Sequence, residues 1–393
     1  MKKRNIPASV ECACRLLGYG RIENCSGATN RRIHQCGAFD RAVLCRGSWK
    51  TGFIGAPEGL SPSLIDRFMA DLVLWWDRIS RVRGASGMAV FVPVDWSQKI
   101  LVMLPFLRIP LRCYVYHSFP SWCQEIFPEC QGEPNLSSPY IIYPGFAPPG
   151  ILRELRRSFN QLDLIYRRDR WELSFAGLPV VWTEHSGACW FDFFRPRIVK
   201  DSPGECERHI RKVLEQRSGL CGNRQSGNFQ FGPERWLESM LVKDLSLVRP
   251  GLGRHFYCQV PSRLDDERKV VDILAADDKG ILVVLEVKTE CRIEDIFQGL
   301  GYRARVALHL ASGDFREMGY FRQVELADSP PVLGFVSPLF SFHRTMPVIW
   351  KYLKPGGDVF FAGINSDWRK GIKPLRRFNP GRGGNSRNAF PYS

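Results

Sequence analysis

The chain of 393 residues lacks any apolar run long enough to cross a bilayer. A spanning helix needs about 20 such residues, and the best stretch, "ILVMLPFL" at 100–107, stops at Arg108. The start is basic, but Glu11 and Arg15 interrupt the apolar core that a secretory leader requires. No glycine-rich phosphate loop, paired zinc knuckle or nucleophile elbow occurs. The thirteen cysteines are odd in number and scattered, which argues against a disulfide framework and for a reducing cytoplasm. Cys12, Cys14, Cys25, Cys36 and Cys45 crowd the first fifty residues beside His34. Only Cys12 and Cys14 are close, at a spacing unusual for zinc, so free thiols are the expectation.

Acid is missing from the end of the chain. From Arg369 onward there are seven Lys/Arg, among them Arg376 and Arg377, and no Asp or Glu. The same stretch is rich in Gly, Asn, Ser and Pro, which predicts a flexible basic tail over 369–393. Formal net charge is +15, so a polyanion is the expected partner, nucleic acid first and no membrane. A solubilising tail is the plainer alternative. With 44% hydrophobic and 24% charged residues the chain is otherwise ordinary and long enough for two or three domains.

Periodicity divides it. Residues 1–55 show none and read as partly irregular. Leu64, Ile65, Phe68, Leu72, Trp75, Trp76 and Ile79 lie on one helical face over 63–82, and "GMAVFVPV" at 87–94 is strand-like. Gly132 to Gly150 is Pro-rich and reads as a long loop. Residues 164–193 alternate as a β-meander, with "HSG" at 185–187 placed for a turn. Its Trp171, Trp182 and Trp190, set beside Arg167, Arg168 and Arg170, suit a core better than a base-stacking surface. A helix over 203–217 then precedes linker composition. These readings give an N-terminal α/β region over 1–220 that contributes substrate recognition, a linker over 221–231, and a C-terminal domain over 232–368.

The chemistry lies in "VVDILAADDKGILVVLEVKTE", 270–290. "DKG" at 278–280 suits a three-residue hairpin loop with glycine in the left-handed position. That register sets Asp277 opposite Ile281 and Asp272 opposite Glu286, with Cβ atoms about 4.5 to 5.5 Å apart. Side chains alternate along a strand, so Lys288 joins them while Ile281, Val283, Leu285 and Val287 pack on the other face. Two carboxylates this close repel unless a cation intervenes, and a hard divalent ion, Mg²⁺ or Mn²⁺, fits oxygen donors. A surface Asp–Lys–Glu cluster is the plain alternative; the flanking apolar runs argue instead for a strand covered on both faces.

Two helices flank the hairpin. Pro233 opens "PERWLESMLVKDLSL" (233–247), where Leu237, Leu241 and Leu245 form an inward stripe with Glu234 and Glu238 beside it. In "IEDIFQGLGYRARVALHL" (293–310), Gln298 and Tyr302 share a face that Arg305 and His309 continue. Gly299 and Gly301 each cost a helix interior about 1 kcal/mol, which implies a close approach to the backbone or tight helix-on-sheet packing.

Taken in order, Leu237-Glu238, Asp272, Glu286-Val287-Lys288, then Gln298 and Tyr302 resemble the PD-(D/E)xK nuclease superfamily, its RecB-like and NucS-like mismatch-endonuclease branch in particular. The likeness covers about 230–315, and Val271 stands where many relatives have glycine or proline. It implies an α+β chain whose C-terminal domain has a restriction-endonuclease-like α/β core, a mixed sheet flanked by helices. Asp272 and Glu286 would hold the metal, with the Val287 carbonyl as a third oxygen and Glu238 at a second ion or a water. Lys288 would orient or deprotonate the attacking water, and Gln298 and Tyr302 would brace the site or touch a phosphate. Arg305, Arg376 and Arg377 are candidate nucleic-acid contacts. The implied activity is Mg²⁺-dependent DNA endonuclease cleavage leaving a 5′-phosphate, with a homodimer expected by analogy. A non-cutting nucleic-acid-binding module and an RNA-directed nuclease are the alternatives.

Overall fold

Three sheets and their helices build an α+β architecture. A computed structural model describes residues 7–26, 39–117, 122–126, 135–136, 148–167, 170–184, 188–219, 222–264, 267–354 and 359–379. Among them no helix is long and apolar enough to cross a membrane.

The first unit comprises α1 (Ala8–Leu16), β1 (Arg21–Ser26), β2 (Asp40–Arg46), β3 (Trp49–Gly55), α2 (Ile65–Arg83), β4 (Gly87–Pro93), α3 (Ser97–Met103), β5 (Leu111–His117) and β6 (Trp122–Ile126). Its six strands lie in chain order; only β3–β4 and β4–β5 are parallel. Residues 40–55, within the stretch read as partly irregular, form the β2–β3 hairpin. Their partner strand β4 comes more than thirty residues later, beyond the reach of a periodicity reading. α2 ends at Gly84, which takes the left-handed conformation that a helix stop favours.

β7 (Asn135–Leu136), within the expected loop, pairs with the C-terminal sheet instead. The second unit follows: α4 (Gly150–Ser158), β8 (Asp163–Arg167), β9 (Arg170–Phe175), β10 (Leu178–Thr183), β11 (Cys189–Phe191), β12 (Arg197–Ile198) and α5 (Pro203–Gln216). This is the predicted meander with one added strand, antiparallel throughout; its expected turn at 185–187 lies outside the described residues. Trp171 and Trp182 are buried, and Arg170 pairs with Glu172 at 2.7 Å while lying over Trp182. The N-terminal region thus holds the meander and a second, six-stranded sheet.

After α6 (Gly227–Gln230), the third unit runs α7 (Pro233–Leu241), β13 (Leu252–Leu264), β14 (Glu267–Asp277), β15 (Leu282–Val287), α8 (Ile293–Ser312), α9 (Asp314–Glu317), β16 (Val332–Pro338), α10 (Met346–Tyr352), β17 (Val359–Ile364) and β18 (Pro374–Phe378). Its sheet order is β18-β17-β16-β15-β14-β13-β7. All six residues of β15 are buried. Leu282 and Val284 face the core shared with α8, while Val283, Leu285 and Val287 pack with Leu237 and Leu241 of α7, so the strand is covered on both faces. Gly299 is packing: a Cβ there would lie 2.7 Å from the Phe335 ring, whereas Gly301 faces open space.

One expectation fails at the C-terminus. Residues 374–378, assigned to a flexible tail, form the edge strand β18, paired antiparallel to β17 and anchored by Phe378, which stacks on Phe361. Residues 380–393 lie outside the described residues.

One buried guanidinium ties the second unit to the third. Arg217 is fully enclosed and donates to the carbonyls of Ala176, Asn228 and Phe231 while lying 4.5 Å over the Trp236 ring. It joins the β9–β10 turn, the connecting segment and α7. Desolvation first, and Arg369 nearby second, lower its pKa to about 9.

Candidate active site

The β14–β15 turn sets the site. Asp277 accepts from the N–H groups of Lys279 (3.0 Å) and Ile281 (2.9 Å), and Gly280 takes φ +75°. The predicted register follows: Ala276 pairs Leu282 and Ile273 pairs Leu285, which carries Asp272 opposite Glu286. Asp272 Oδ2 accepts from the Val287 N–H at 3.0 Å, and Lys288 Nζ lies 3.0 Å from Glu286 Oε2 and 3.8 Å from Asp272 Oδ2. Asp272, Glu286 and Lys288 therefore meet.

Glu286 is 1% exposed. Burial, then the charge of Asp272, push its pKa up to about 8 against the pull of Lys288. Burial works against the Lys288 ammonium, but Glu286, Asp272 and Glu234 outweigh it and hold its pKa above the usual lysine range. Burial, Glu286 and Asp272 likewise raise Tyr302, whose hydroxyl accepts from Gln298 Nε2 at 3.0 Å. The two predicted helix residues thus bond each other on α8, with Tyr302 close enough to feel the charge of both carboxylates.

Glu238, 5% exposed, reaches the group through a residue the sequence reading passed over. Gln259 donates its amide to Glu238 Oε2 at 2.7 Å and to Asp272 Oδ1 at 3.4 Å. It lies between the pairs Cys258–Ile273 and Val260–Val271, and so across from Asp272. Its φ of +55° is a left-handed conformation costing a non-glycine residue about 1–2 kcal/mol. A polar residue inside "HFYCQVP" was the available signal, but it acquires meaning only once β13 is registered against β14.

A cleft of about 520 Å³ opens over Lys288, lined also by Phe231, Glu234, Arg235, Glu290, Arg292 and Asp295, so acids and bases are balanced in it. Phe231 continues its wall to the exposed Phe193 and Phe194, ring centroids 4.9 and 5.8 Å away. Partial burial raises the pKa of Glu234, and Lys288 opposes it. Flat apolar rings beside arginines suit bases and phosphates.

Other predicted residues lie elsewhere. Arg305 is 2% exposed and set over the Tyr302 ring, so it does not stand at the surface where a phosphate contact was expected. The helix face that carries Gln298 and Tyr302 is covered, and Arg305 is covered with it. Arg376 and Arg377 are exposed on β18, three strands from β15. His309 is buried, with Nδ1 2.7 Å from Asp314 Oδ2.

Among the described residues no three His, Cys, Asp or Glu side chains gather closely enough to enclose an ion, at the N-terminal cysteines or here. Two carboxylates suffice for Mg²⁺, which keeps several waters of its own. Glu286 Oε1 has no hydrogen-bond partner among the described residues, and a buried polar oxygen left so is costly. Asp272 and Glu286 thus fit a hard divalent cation. No family model matches the chain, and no curated protein matches it.

Proposed function

We propose that the chain is a metal-dependent phosphodiester hydrolase of nucleic acid, a DNA endonuclease of the PD-(D/E)xK kind with a restriction-endonuclease-like core in its third unit. One observation carries the reading. Asp272 and Glu286 converge with Lys288, which also lines the cleft, and Glu286 keeps a buried oxygen without a hydrogen-bond partner among the described residues.

Asp272 and Glu286 would hold the ion, with the Val287 carbonyl and Glu238 as further oxygens; a bound divalent ion supplies Lewis-acid charge and a more acidic water. Lys288 stays protonated in this anionic setting, which favours the role of donor to a phosphate oxygen over that of base. Gln259 holds Asp272 and Glu238 at a fixed separation, and the buried Tyr302 lies on the α8 side. Hydrolysis adds the water oxygen to phosphorus, breaks the P–O3′ bond and leaves a 5′-phosphate and a 3′-hydroxyl. The basic balance of the chain favours a polyanion as substrate.

Labelled duplex and single-stranded DNA incubated with Mg²⁺ or Mn²⁺ test this. Wild type is expected to cut, and Asp272→Asn and Glu286→Gln are expected to lose at least a hundredfold. Equal cutting by the variants overturns the site. Salt-sensitive binding without products under any divalent ion makes the protein a binding module, and preference for RNA in competition moves it to ribonucleases.

A further inference from the structure

The first and third units share one topology. Each runs helix, three antiparallel strands, helix, strand, helix, strand and edge strand: α1-β1-β2-β3-α2-β4-α3-β5-β6 against α7-β13-β14-β15-α8-β16-α10-β17-β18, with the short α9 added after α8. Pairing senses agree at every step, parallel only at β3–β4 and β4–β5 and at β15–β16 and β16–β17. Backbone bonds agree as well. Lys288 N–H donates to Val336 O at 2.9 Å, and Ala56 N–H donates to Phe91 O at 3.0 Å from the same place after the third strand.

The two units also pack reciprocally. α2 lies on α8, α3 packs on α8 and α10 on α2. Leu107 bridges Leu353, each just before the fifth strand of its unit. Arg108 N–H donates to Tyr352 O at 2.8 Å, and Lys354 N–H donates to Phe106 O at 2.9 Å. Equivalent elements meeting one another, with each bond returned, is the signature of a two-fold isologous interface, here within one chain.

The register carries the acidic site across. Ala56 stands where Lys288 does, Ile54 where Glu286 does, and Arg41, paired with Ile54, where Asp272 does. All three chemical groups are gone. Arg41 instead bridges Asp71 of α2 at 2.8 Å, both nearly sealed from water.

We infer that the chain is a fused pseudo-dimer whose first unit occupies the place of a second subunit and carries no hydrolytic centre. The protein is then a monomer with one centre, and it breaks one strand of a duplex per encounter. This rests on the hydrolytic reading above. Each break consumes one water and yields one 5′-phosphate and one 3′-hydroxyl.

The full chain is tested by sedimentation at tens of micromolar and by time courses on supercoiled plasmid with Mg²⁺. A single species at 45.0 kDa is expected. Nicked circles should accumulate until the supercoiled form is consumed, before linear DNA appears, at an initial rate proportional to protein concentration. A species of twice that mass, or linear product formed without a nicked intermediate, overturns the single-cut inference and leaves hydrolysis standing. No product that depends on Asp272 overturns the hydrolytic reading and the single-cut inference with it.

Discussion

Lys288 Nζ lies 3.0 Å from Glu286 Oε2, two residues away on the same face, while the other oxygen of that carboxylate has no hydrogen-bond partner among the described residues. The ammonium thus stands in part for the charge that a divalent ion would bring. Lysine and metal compete for the same anionic oxygens, and binding and cutting can be separated at this residue. Lys288→Met should bind Mn²⁺ as tightly as wild type or more so, while cleavage falls by about 10²–10³, the range for loss of a preorganised charge donor. Calorimetric titration beside a cleavage assay reads both.

Glu286 makes metal-free stability depend on pH. Its pKa near 8 lies above its ordinary 4.5, so between those values the folded state binds more protons than the unfolded state. Stability should therefore fall as pH rises from about 4.5 to about 8, by a few kcal/mol, and then level off. Denaturant titrations in EDTA should show this slope, Glu286→Gln should flatten it, and added Mg²⁺ should stabilise most above pH 8.

Gln259 offers a test on its backbone and its side chain. Gln259→Ala keeps the strained φ of +55° and loses both amide bonds, whereas Gln259→Gly loses the bonds and relieves the strain. Both should lose tenfold to a hundredfold in metal affinity or activity, as outer partners of ligands do. The glycine variant should melt higher than the alanine variant by about 1 kcal/mol equivalent.

Gly299 and Gly301 should part company. Gly299→Ala drives a methyl into Phe335 and should destabilise by about 1–3 kcal/mol. Gly301→Ala meets open space and should stabilise by about 0.5–1 kcal/mol through the helix alone. Thermal unfolding of the two single variants decides it.

The residues that were legible in advance are those fixed by short-range rules. Gly280 and the Asp277 side chain close a three-residue turn, and a closed turn dictates the register of the two strands it joins. Asp272, Glu286 and Lys288 follow by counting. Helical spacing likewise placed Gln298 beside Tyr302, and alternation found the meander.

What eluded it depends on partners far along the chain. Gln259 joins the site through the β13–β14 register, Arg305 is covered by packing around α8, and β18 exists because β17 offers an open edge. The doubled topology is invisible in residue identity, since Arg41, Ile54 and Ala56 share no chemistry with their counterparts. The sequence alone determined the hairpin and the convergence of its three ionisable groups, because turn geometry and strand alternation act over a few residues. Tertiary structure decided which distant amide ties two carboxylates, which arginine is withdrawn from solvent and which unit faces which, because burial and pairing belong to the whole packed chain.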